Sequence, residues 1–296
     1  MDRYKGIVES FSAFKEALSS PLPRVIWANA LRPGFSVSNL ENRGIVPCSL
    51  SWTDNAWRIP PGTPVGTWPE HKMGQIHVQE EVTLWPADVV GAQPGDRVLD
   101  LCAAPGNKTA RIAANIGNEG YVLANEKRWQ RVSSLRFNLD RLGVTCAAVS
   151  VGDGRELDFG EVPFDCALVD APCSGEGMIR KSKGYARETS ENERAGLVGT
   201  QKGLVRKAVE SVRPGGSIVY ATCTFAPEEN EHVVMWALRH LPVELMELPG
   251  SPGINPSQGI HSWREEEYSS IQSRVGRFWP HLHDTGGFFI AKFRRL

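Results

Sequence analysis

The stretch LDLCAAPGNKT (Leu99–Thr109) decides the fold of this chain. It joins a short apolar strand over Arg97–Cys102 to a helical pattern over Lys108–Ile116 through a tight Pro-Gly turn. Such a strand–turn–helix unit points backbone N–H groups toward a ligand. Gly106 is the single glycine of the stretch, so the GxGxxG pattern of a pyrophosphate-binding loop is missing. We therefore expect an amino-acid-like ligand, whose carboxylate Lys108 and the helix N-terminus would bind.

Apolar strands alternate with helical patterns in the C-terminal direction from this stretch. After the strand at Arg97–Cys102, the predicted strands are Tyr121–Glu126, Cys146–Val151, Phe164–Asp170, Ser217–Thr222, Val243–Leu248 and Gly287–Arg294. The later helical patterns cover Arg128–Leu142, Asn192–Val212 and Glu228–Leu241. This alternation predicts the α/β class, with a doubly wound, mostly parallel sheet that binds ligands at the carboxyl ends of its strands.

Residues 1–92 have a different pattern, and we expect a small α+β N-terminal domain there, followed by the main domain over 93–296. A helix is expected at Val8–Leu18, and strands are expected at Arg24–Leu31 and Trp52–Ile59. The Pro/Gly-rich stretch Pro60–Pro69 breaks any long element, and a helical pattern resumes over His77–Val90.

Composition and charge limit the class of protein. The chain has 296 residues, of which 41% are hydrophobic and 23% charged, as in an ordinary globular protein. It has no apolar run near the roughly 20 residues of a membrane span, and its N-terminus has no apolar signal core, so a cytoplasmic protein without membrane contact is expected. The net charge of −1 argues against a large nucleic-acid footprint. It leaves room for local basic clusters at Lys127–Arg131, Arg180–Lys183 and Arg294–Arg295.

Three acidic residues end three predicted strands of the main domain. Glu126 ends the second strand, 20 residues after Gly106, and is placed to accept hydrogen bonds from ribose hydroxyls. Asp153 ends the third strand, where its carboxylate or backbone could contact an adenine edge, and Asp170 ends the fourth. Each alone is as well explained as a cap or turn residue. Because parallel strands end at one edge of a sheet, the set favours a nucleoside site.

The six cysteines predict neither a metal site nor a disulfide framework. They form no CxxC pair and have no histidines at metal-ligand spacing. Cys146 and Cys166 lie in apolar strands and are interpreted as small buried hydrophobes. Cys173 and Cys223 instead follow the fourth and fifth strands, beside the expected ligand site.

The surroundings of these two cysteines favour a reactive thiol. Cys173 lies in DAPCSGEG (Asp170–Gly177) and is followed by the cations Arg180, Lys181 and Lys183; Cys223 lies in ATCTFAPEENE (Ala221–Glu231), before a predicted helix. Cations and helix N-termini lower the pKa of a thiol.

Together these motifs resemble those of the RNA (cytosine-5-)-methyltransferases of the Nop/Sun group, which include bacterial rRNA and archaeal tRNA enzymes. Leu99–Thr109 is similar to the loop that binds S-adenosylmethionine, and the two cysteine motifs are similar to the family's release and nucleophile motifs. Gly74–Pro86 resembles the segment that leads into the domain, and Gly286–Arg295 its last strand. The resemblance covers residues 74–296 well. It is weaker over 24–60, where RVIWANALR resembles the first strand of an RNA-recognition-like domain.

The resemblance implies a site and a mechanism. Cys223 would attack C6 of a cytosine, which makes C5 nucleophilic toward the methyl group, and Cys173 would assist product release. Asp170 would act as an acid near N3. Lys181 would contact an RNA whose target base is unstacked, in rRNA or tRNA. S-adenosylmethionine would be bound by Cys102, Ala103, Ala104, Pro105, Gly106, Asn107, Lys108, Glu126, Arg131, Asp153 and Asp170. A monomer without a metal is expected.

Other assignments remain open on the residues alone. The chemistry requires one thiol and does not choose between Cys173 and Cys223. A DNA cytosine methyltransferase would use the Pro172-Cys173 type of motif without the second one. A non-catalytic RNA-binding or ribosome-assembly factor and a small-molecule methyltransferase are further alternatives.

Two places depart from the family's pattern. Asn107 stands where the family often has glycine, and we expect an asparagine there to accept left-handed backbone geometry. Trp27 and Ala28 interrupt the pattern of the N-terminal strand.

Overall fold

A nine-stranded sheet forms the centre of the computed structural model, which describes residues 1–53, 55–158, 160, 162–182, 188–250 and 253–296. Lys183, one of the cations noted after Cys173, lies outside the described residues. The helices of the described part are α1 (Phe11–Ser19), α2 (Val37–Glu41), α3 (Pro69–Lys72), α4 (Glu81–Val89), α5 (Asn107–Asn115), α6 (Trp129–Arg141), α7 (Glu191–Ser211), α8 (Glu231–His240) and α9 (Pro280–His283). The strands are β1 (Arg24–Ala28), β2 (Cys48–Ser49), β3 (Ala56–Ile59), β4 (Ile76–Gln79), β5 (Arg97–Asp100), β6 (Tyr121–Glu126), β7 (Ala147–Val151), β8 (Phe164–Asp170), β9 (Val212–Thr222), β10 (Val243–Met246), β11 (Ser257–Gln258), β12 (Ser262–Trp263), β13 (Glu266–Glu267), β14 (Val275–Phe278) and β15 (Phe288–Arg295).

The large sheet has the order β11-β14-β15-β9-β8-β5-β6-β7, and β10 also pairs with β15. The ladders from β9 to β7 are parallel, and those that involve β15, β14, β11 and β10 are antiparallel. This confirms the predicted α/β class and the parallel centre of the sheet. Strands β11 to β14 were not predicted from the sequence, because they are short and follow a loop-rich segment.

Both faces of the sheet are covered by helices. Successive side chains of a strand point to opposite faces, and here Leu99 packs in a core with Val205 of α7, while its neighbour Val98 packs in a second core with Ile112 of α5. Because both faces are buried, the strands are continuous apolar runs rather than alternating ones. No helix in the described part of the chain is long and apolar enough to cross a membrane.

The N-terminal region folds into a separate four-stranded antiparallel sheet with the order β2-β3-β1-β4. Ile26, Trp57 and Ile76 lie in its core. The prediction of a helix from His77 onward was wrong for its first residues, because His77 lies in β4, opposite Trp27 of β1. In β4 the alternation of Ile76 and Val78 has the period of a strand, and the helix begins only at α4.

The first residues pack against the large sheet, whereas α4 contacts both sheets, because its Leu84 shares a core with Val25 and Trp27 of β1. Tyr4 and Phe14 share a core with Phe225, and Trp85 of α4 shares one with Val98. The division at residue 92 stays a prediction.

Candidate active site

A cleft of about 1220 Å³ lies at the carboxyl ends of the parallel strands, between the two sheets. Gly106 and Asp153 are predicted site residues that are not among the described residues lining this cleft. The predicted site residues that do line it are Cys102, Ala103, Ala104, Pro105, Asn107, Lys108, Glu126, Arg131, Asp170, Cys173, Lys181 and Cys223. Most of the site residues predicted from the sequence therefore lie at one cleft, and their roles stay predictions.

The loop between β5 and α5 turns at a glycine that no other residue could replace without strain. Gly106 has φ +101°, and a Cβ at this position would lie 3.1 Å from Cδ1 and 3.3 Å from the carbonyl oxygen of Leu135. Asn107 is the first residue of α5, so the left-handed geometry expected there is taken by Gly106 instead. The predicted Pro-Gly turn thus lies at Gly106, and Asn107 does not need left-handed geometry.

The side chain of Asn107 connects this loop to the small sheet. His77 Nε2 lies 3.0 Å from Asn107 Oδ1, and Arg141 Nη2 lies 2.7 Å from His77 Nδ1. Because the guanidinium can only donate, Nδ1 accepts and Nε2 carries the proton. Burial and the charge of Arg141 lower the pKa of His77 to about 4, so the ring is neutral. His77 was not predicted as a site residue, because its segment was assigned to a helix.

Lys108 and Asp170 form an ion pair on the wall of the cleft. Lys108 Nζ donates to Asp170 Oδ2 over 2.6 Å. Burial alone would lower the pKa of Lys108, but the charge and hydrogen bond of Asp170 outweigh it and raise that pKa. Lys108 is therefore a fixed cation that holds the carboxylate of Asp170 in place. Its expected contact with a ligand carboxylate stays a prediction.

Glu126 is held at the cleft by the residues that follow it. The backbone N–H of Arg128 donates to Glu126 Oε1 over 2.7 Å, and Arg131 Nη1 lies 3.3 Å from Glu126 Oε2. Arg131 also donates to the carbonyl oxygen of Ala104, so it joins the end of β6 to the loop after β5. Arg131 thus has an internal structural role in addition to its place on the cleft wall.

Asp153 uses its carboxylate within the protein. Arg155 Nε donates to Asp153 Oδ1 over 2.9 Å, and Lys127 Nζ donates to Oδ2 over 2.7 Å. Hydrogen bonds from Arg155 and Lys127 hold the pKa of Asp153 well below its usual range. The expected contact with an adenine stays a prediction, and the geometry gives it no side-chain support.

Asp100 is a cleft carboxyl that the sequence analysis did not single out. It ends β5 and lines the cleft, and Thr109 Oγ1 donates to its Oδ2 over 2.7 Å. Burial, reinforced by the charge of Asp170, raises the pKa of Asp100 to about 7. Its position could have indicated it from the sequence, because Asp100 ends β5 as Glu126 ends β6 and Asp170 ends β8.

The two sulphur atoms at the cleft are in contact. Cys173 Sγ lies 3.3 Å from Cys223 Sγ. The hydrogen bond to Cys223 and burial raise the pKa of Cys173, so Cys173 keeps its proton. Two neighbouring sulphur atoms at one cleft can serve as a nucleophile and a proton donor.

The cations near Cys173 have different surroundings. Arg180 donates to the carbonyl oxygens of Ser20, Pro21 and Thr285, so its guanidinium fixes the N-terminal segment. Lys181 is exposed on the cleft wall, where no ion pair or hydrogen bond of its ammonium occurs in the described part of the chain. In that part, no three His, Cys, Asp or Glu side chains are grouped as metal ligands.

The model of the family described as 16S rRNA methyltransferase RsmB/F matches residues 87–294. The chain belongs to this family. The match includes the β5–α5 loop and both cysteine motifs, and it confirms the resemblance to the Nop/Sun group.

Curated relatives of the RsmB/F family align with nearly the whole chain. The 28S rRNA (cytosine(4447)-C(5))-methyltransferase of Homo sapiens is 35% identical over 292 residues, which are 96% of this chain and 36% of that protein. The ribosomal RNA small subunit methyltransferase F of Klebsiella pneumoniae (strain 342) is 35% identical over 300 residues, 97% of this chain and 60% of that protein. The chain thus spans about a third to three fifths of the length of these relatives.

Solved structures have the same architecture. A methyltransferase homolog protein from Pyrococcus horikoshii superposes with a TM-score of 0.86 and 32% identity, over 100% of this chain and 94% of that one. NSun6 from the same organism, solved with SFG, gives a TM-score of 0.85 over 99% of this chain and 97% of that one, at 22% identity. The second likeness concerns the fold alone.

Proposed function

We propose that this RsmB/F family member transfers a methyl group from S-adenosylmethionine to C5 of a cytosine in ribosomal RNA, through a covalent bond between Cys223 and C6. The observation that carries the proposal is the contact of 3.3 Å between the two sulphur atoms at the cleft. Family membership supports it, as does the activity named for the curated relatives.

The residues around the β5–α5 loop fit S-adenosylmethionine. Residues Cys102–Pro105 of this loop line the cleft, and the carboxylate of Glu126 can accept hydrogen bonds from ribose hydroxyls. Asp100 adds a second carboxyl on the same wall. When bound, this molecule supplies an electrophilic methyl group on its sulfonium.

Cys223 is the proposed nucleophile. As a thiolate it adds to C6 of the cytosine, and the electron pair displaced toward C5 makes that carbon able to take the methyl group. The raised pKa of Cys173 is consistent with this division of roles, because the proton of the pair then stays on Cys173. Asp170, held by Lys108, is proposed to meet the N3 edge of the base.

Cys173 is proposed to act in the release step. After C5 loses its proton to a base, the bond between C6 and the sulphur of Cys223 breaks and that sulphur leaves as a thiolate. A thiol 3.3 Å away can donate a hydrogen bond to the leaving thiolate and stabilise it.

The RNA is proposed to enter along a rim that both sheets share. Arg24 lies on the side of the small sheet, Arg128 follows β6, and Lys181 follows the Cys173 loop, all three on the cleft wall. Phosphate groups are attracted by such cations, while the target base must leave its stack to reach Cys223.

The experiment that tests this proposal is bisulfite sequencing of ribosomal and transfer RNA from a strain that lacks the gene. We expect one or more ribosomal cytosines to lose protection in the deletion strain and to regain it when the intact gene is returned. A complementing gene that encodes Cys223→Ala is the matched control and should restore nothing. Loss of protection in tRNA alone would overturn the proposed substrate, and unchanged protection everywhere would overturn the activity.

A further inference from the structure

Buried charges form a network in contact with both cysteine loops. Arg194 of α7 lies between two carboxylates, with Nη2 2.9 Å from Glu176 Oε1 and Nη1 2.8 Å from Glu229 Oε1. All three residues are almost fully buried, and Glu229 has an exposure of 0%. Burying ions is expensive unless each is paired and hydrogen-bonded, and well-packed apolar side chains often stabilise a core as well or better. Stability alone therefore does not explain why these three charges are buried together.

Glu229 holds the segment that carries Cys173. Its Oε2 accepts hydrogen bonds from the backbone N–H of Ser174 over 2.9 Å and from Gln201 Nε2 over 2.9 Å. Gln201 Nε2 also donates to the carbonyl oxygen of Pro172 over 3.0 Å. The residues before and after Cys173 are thus both fixed by this carboxylate and its amide partner.

The same carboxylate belongs to the chain segment of Cys223. Glu229 follows Cys223 in the Ala221–Glu231 motif, and Tyr220, which precedes that cysteine on β9, donates its hydroxyl to the carbonyl oxygen of Glu229 over 2.5 Å. The two loops also meet directly, where Ser174 Oγ lies 2.6 Å from Thr224 Oγ1. Glu229 is therefore anchored on one cysteine loop and holds the other.

We propose that Glu229 is a positioning residue that keeps the Cys173 sulphur against the Cys223 sulphur. The position itself is a property of the folded chain, and only its effect on catalysis rests on the proposed function. Without the carboxylate, Ser174 N–H and Gln201 lose their shared acceptor, and the Pro172–Ser174 segment is held less firmly beside Cys223. Arg194 keeps its pair with Glu176, so the rest of the network has a remaining counter-charge.

The first test measures the proximity of the two thiols without any RNA. The protein is equilibrated with reduced and oxidised glutathione, and the Cys173–Cys223 disulfide is quantified by mass spectrometry as an effective thiol concentration. We expect Glu229→Ala to lower that concentration at least tenfold. Glu229→Gln retains a carbonyl oxygen for Ser174 N–H and should recover most of it. Glu228→Gln is the matched control, since the Glu228 side chain bonds to Arg3 and Trp263 instead, and it should match the parent protein.

A second variant provides an independent test in case Glu229→Ala does not fold. Gln201→Leu keeps both ion pairs of Arg194 and removes the amide that donates to Glu229 and to the carbonyl oxygen of Pro172, so it should lower the effective concentration about threefold. Equal effective concentrations in the parent protein, Glu229→Ala and Gln201→Leu would overturn the positioning role. Absence of the disulfide in the parent protein under oxidising buffer would overturn it as well.

The last measurement separates this role from the proposed activity. Each variant is mixed with the ribosomal RNA and S-adenosylmethionine, and the protein–RNA adduct is followed on a denaturing gel. We expect Glu229→Ala to form the adduct and to release it at least tenfold more slowly than the parent protein, with Glu229→Gln close to the parent rate. An altered disulfide equilibrium without an adduct in any variant, Cys173→Ala included, would refute the proposed function and leave the position of Glu229 intact. Unchanged release in Glu229→Ala would refute its part in catalysis.

Discussion

Cys173 and Cys223 carry the same functional group at the same cleft, so replacing each one separates their roles. We expect Cys223→Ala to form no adduct and to lose methyl transfer by on the order of 10³-fold or more, because the covalent route is closed. Cys173→Ala should still attack C6 and accumulate an RNA adduct that survives a denaturing gel. Cys166→Ala, at a buried cysteine of β8, is the control for the loss of a thiol. Adduct formation by Cys223→Ala but not by Cys173→Ala would reverse the two assignments.

Asp170 can be tested against a second aspartate of the same strand. Asp170→Asn removes the carboxylate proposed to meet N3 and the partner of Lys108, and we expect kcat to fall by about 10²–10⁴-fold, the usual contribution of general acid–base catalysis. Asp165 of β8 pairs with the exposed Arg213 outside the cleft, so Asp165→Asn should leave kcat within about twofold. Steady-state methylation with tritiated S-adenosylmethionine measures both. Equal kcat values for the two variants would remove Asp170 from the mechanism.

At the scale of the elements, His77 of β4 links the small sheet to the first turn of α5. Its pKa in the folded protein is about 4, whereas an unperturbed histidine titrates near 6.5. Between these values the unfolded chain binds a proton that the folded protein does not bind. The stability that the neutral His77 contributes is therefore fully present above pH 6.5 and is lost as the pH falls toward 4.

The histidine should contribute about 2 kcal/mol to the loss of unfolding free energy between pH 7 and pH 5. In His77→Gln the amide can accept from Arg141 and donate to Asn107, as the neutral ring does, but it has no proton to gain. We expect urea unfolding of His77→Gln to show a pH dependence that is smaller by this amount. His232 and His283 also have lowered pKa values and remain in both proteins, so they cancel in the comparison. An identical pH dependence in both proteins would show that His77 is not buried as a neutral ring.

At the scale of the whole molecule, the sequence predicted the parallel centre of the sheet because long apolar strands and amphipathic helices have distinct periods. It placed Cys173, Cys223 and Asp170 at one edge because parallel strands end at the same edge. Local pattern could not predict that His77 pairs across to β1, or that Asp153 uses its carboxylate on Lys127 and Arg155. These features depend on partners that are distant in the sequence or are chosen by the rotamers of long side chains.

The charge of the whole chain also limits how it can hold RNA. With a net charge of −1, we expect the attraction to come mainly from the cations of the cleft rim. Among the described residues that line the cleft, Arg128 and Lys181 have side chains without an ion-pair or hydrogen-bond partner, whereas Lys127 and Arg131 are paired with acids. We therefore expect few phosphate contacts and a shallow salt dependence, with a slope of log K against log salt weaker than about −4.

Replacing Arg128 or Lys181 should change the slope of log K against log salt by a fixed amount for each cation removed. We expect Arg128→Ala and Lys181→Ala each to weaken RNA binding and to reduce the slope by about 0.7–0.9, because each releases the counterions of about one phosphate. Filter binding of a ribosomal RNA fragment from 50 to 300 mM KCl would measure both quantities, with the double variant expected to show the sum. Arg239→Ala is the matched control, since Arg239 pairs with Glu266 and does not line the cleft. A slope that is equally reduced in Arg239→Ala would mean that the RNA is held by diffuse attraction over the surface, and the proposed path along the rim would be wrong.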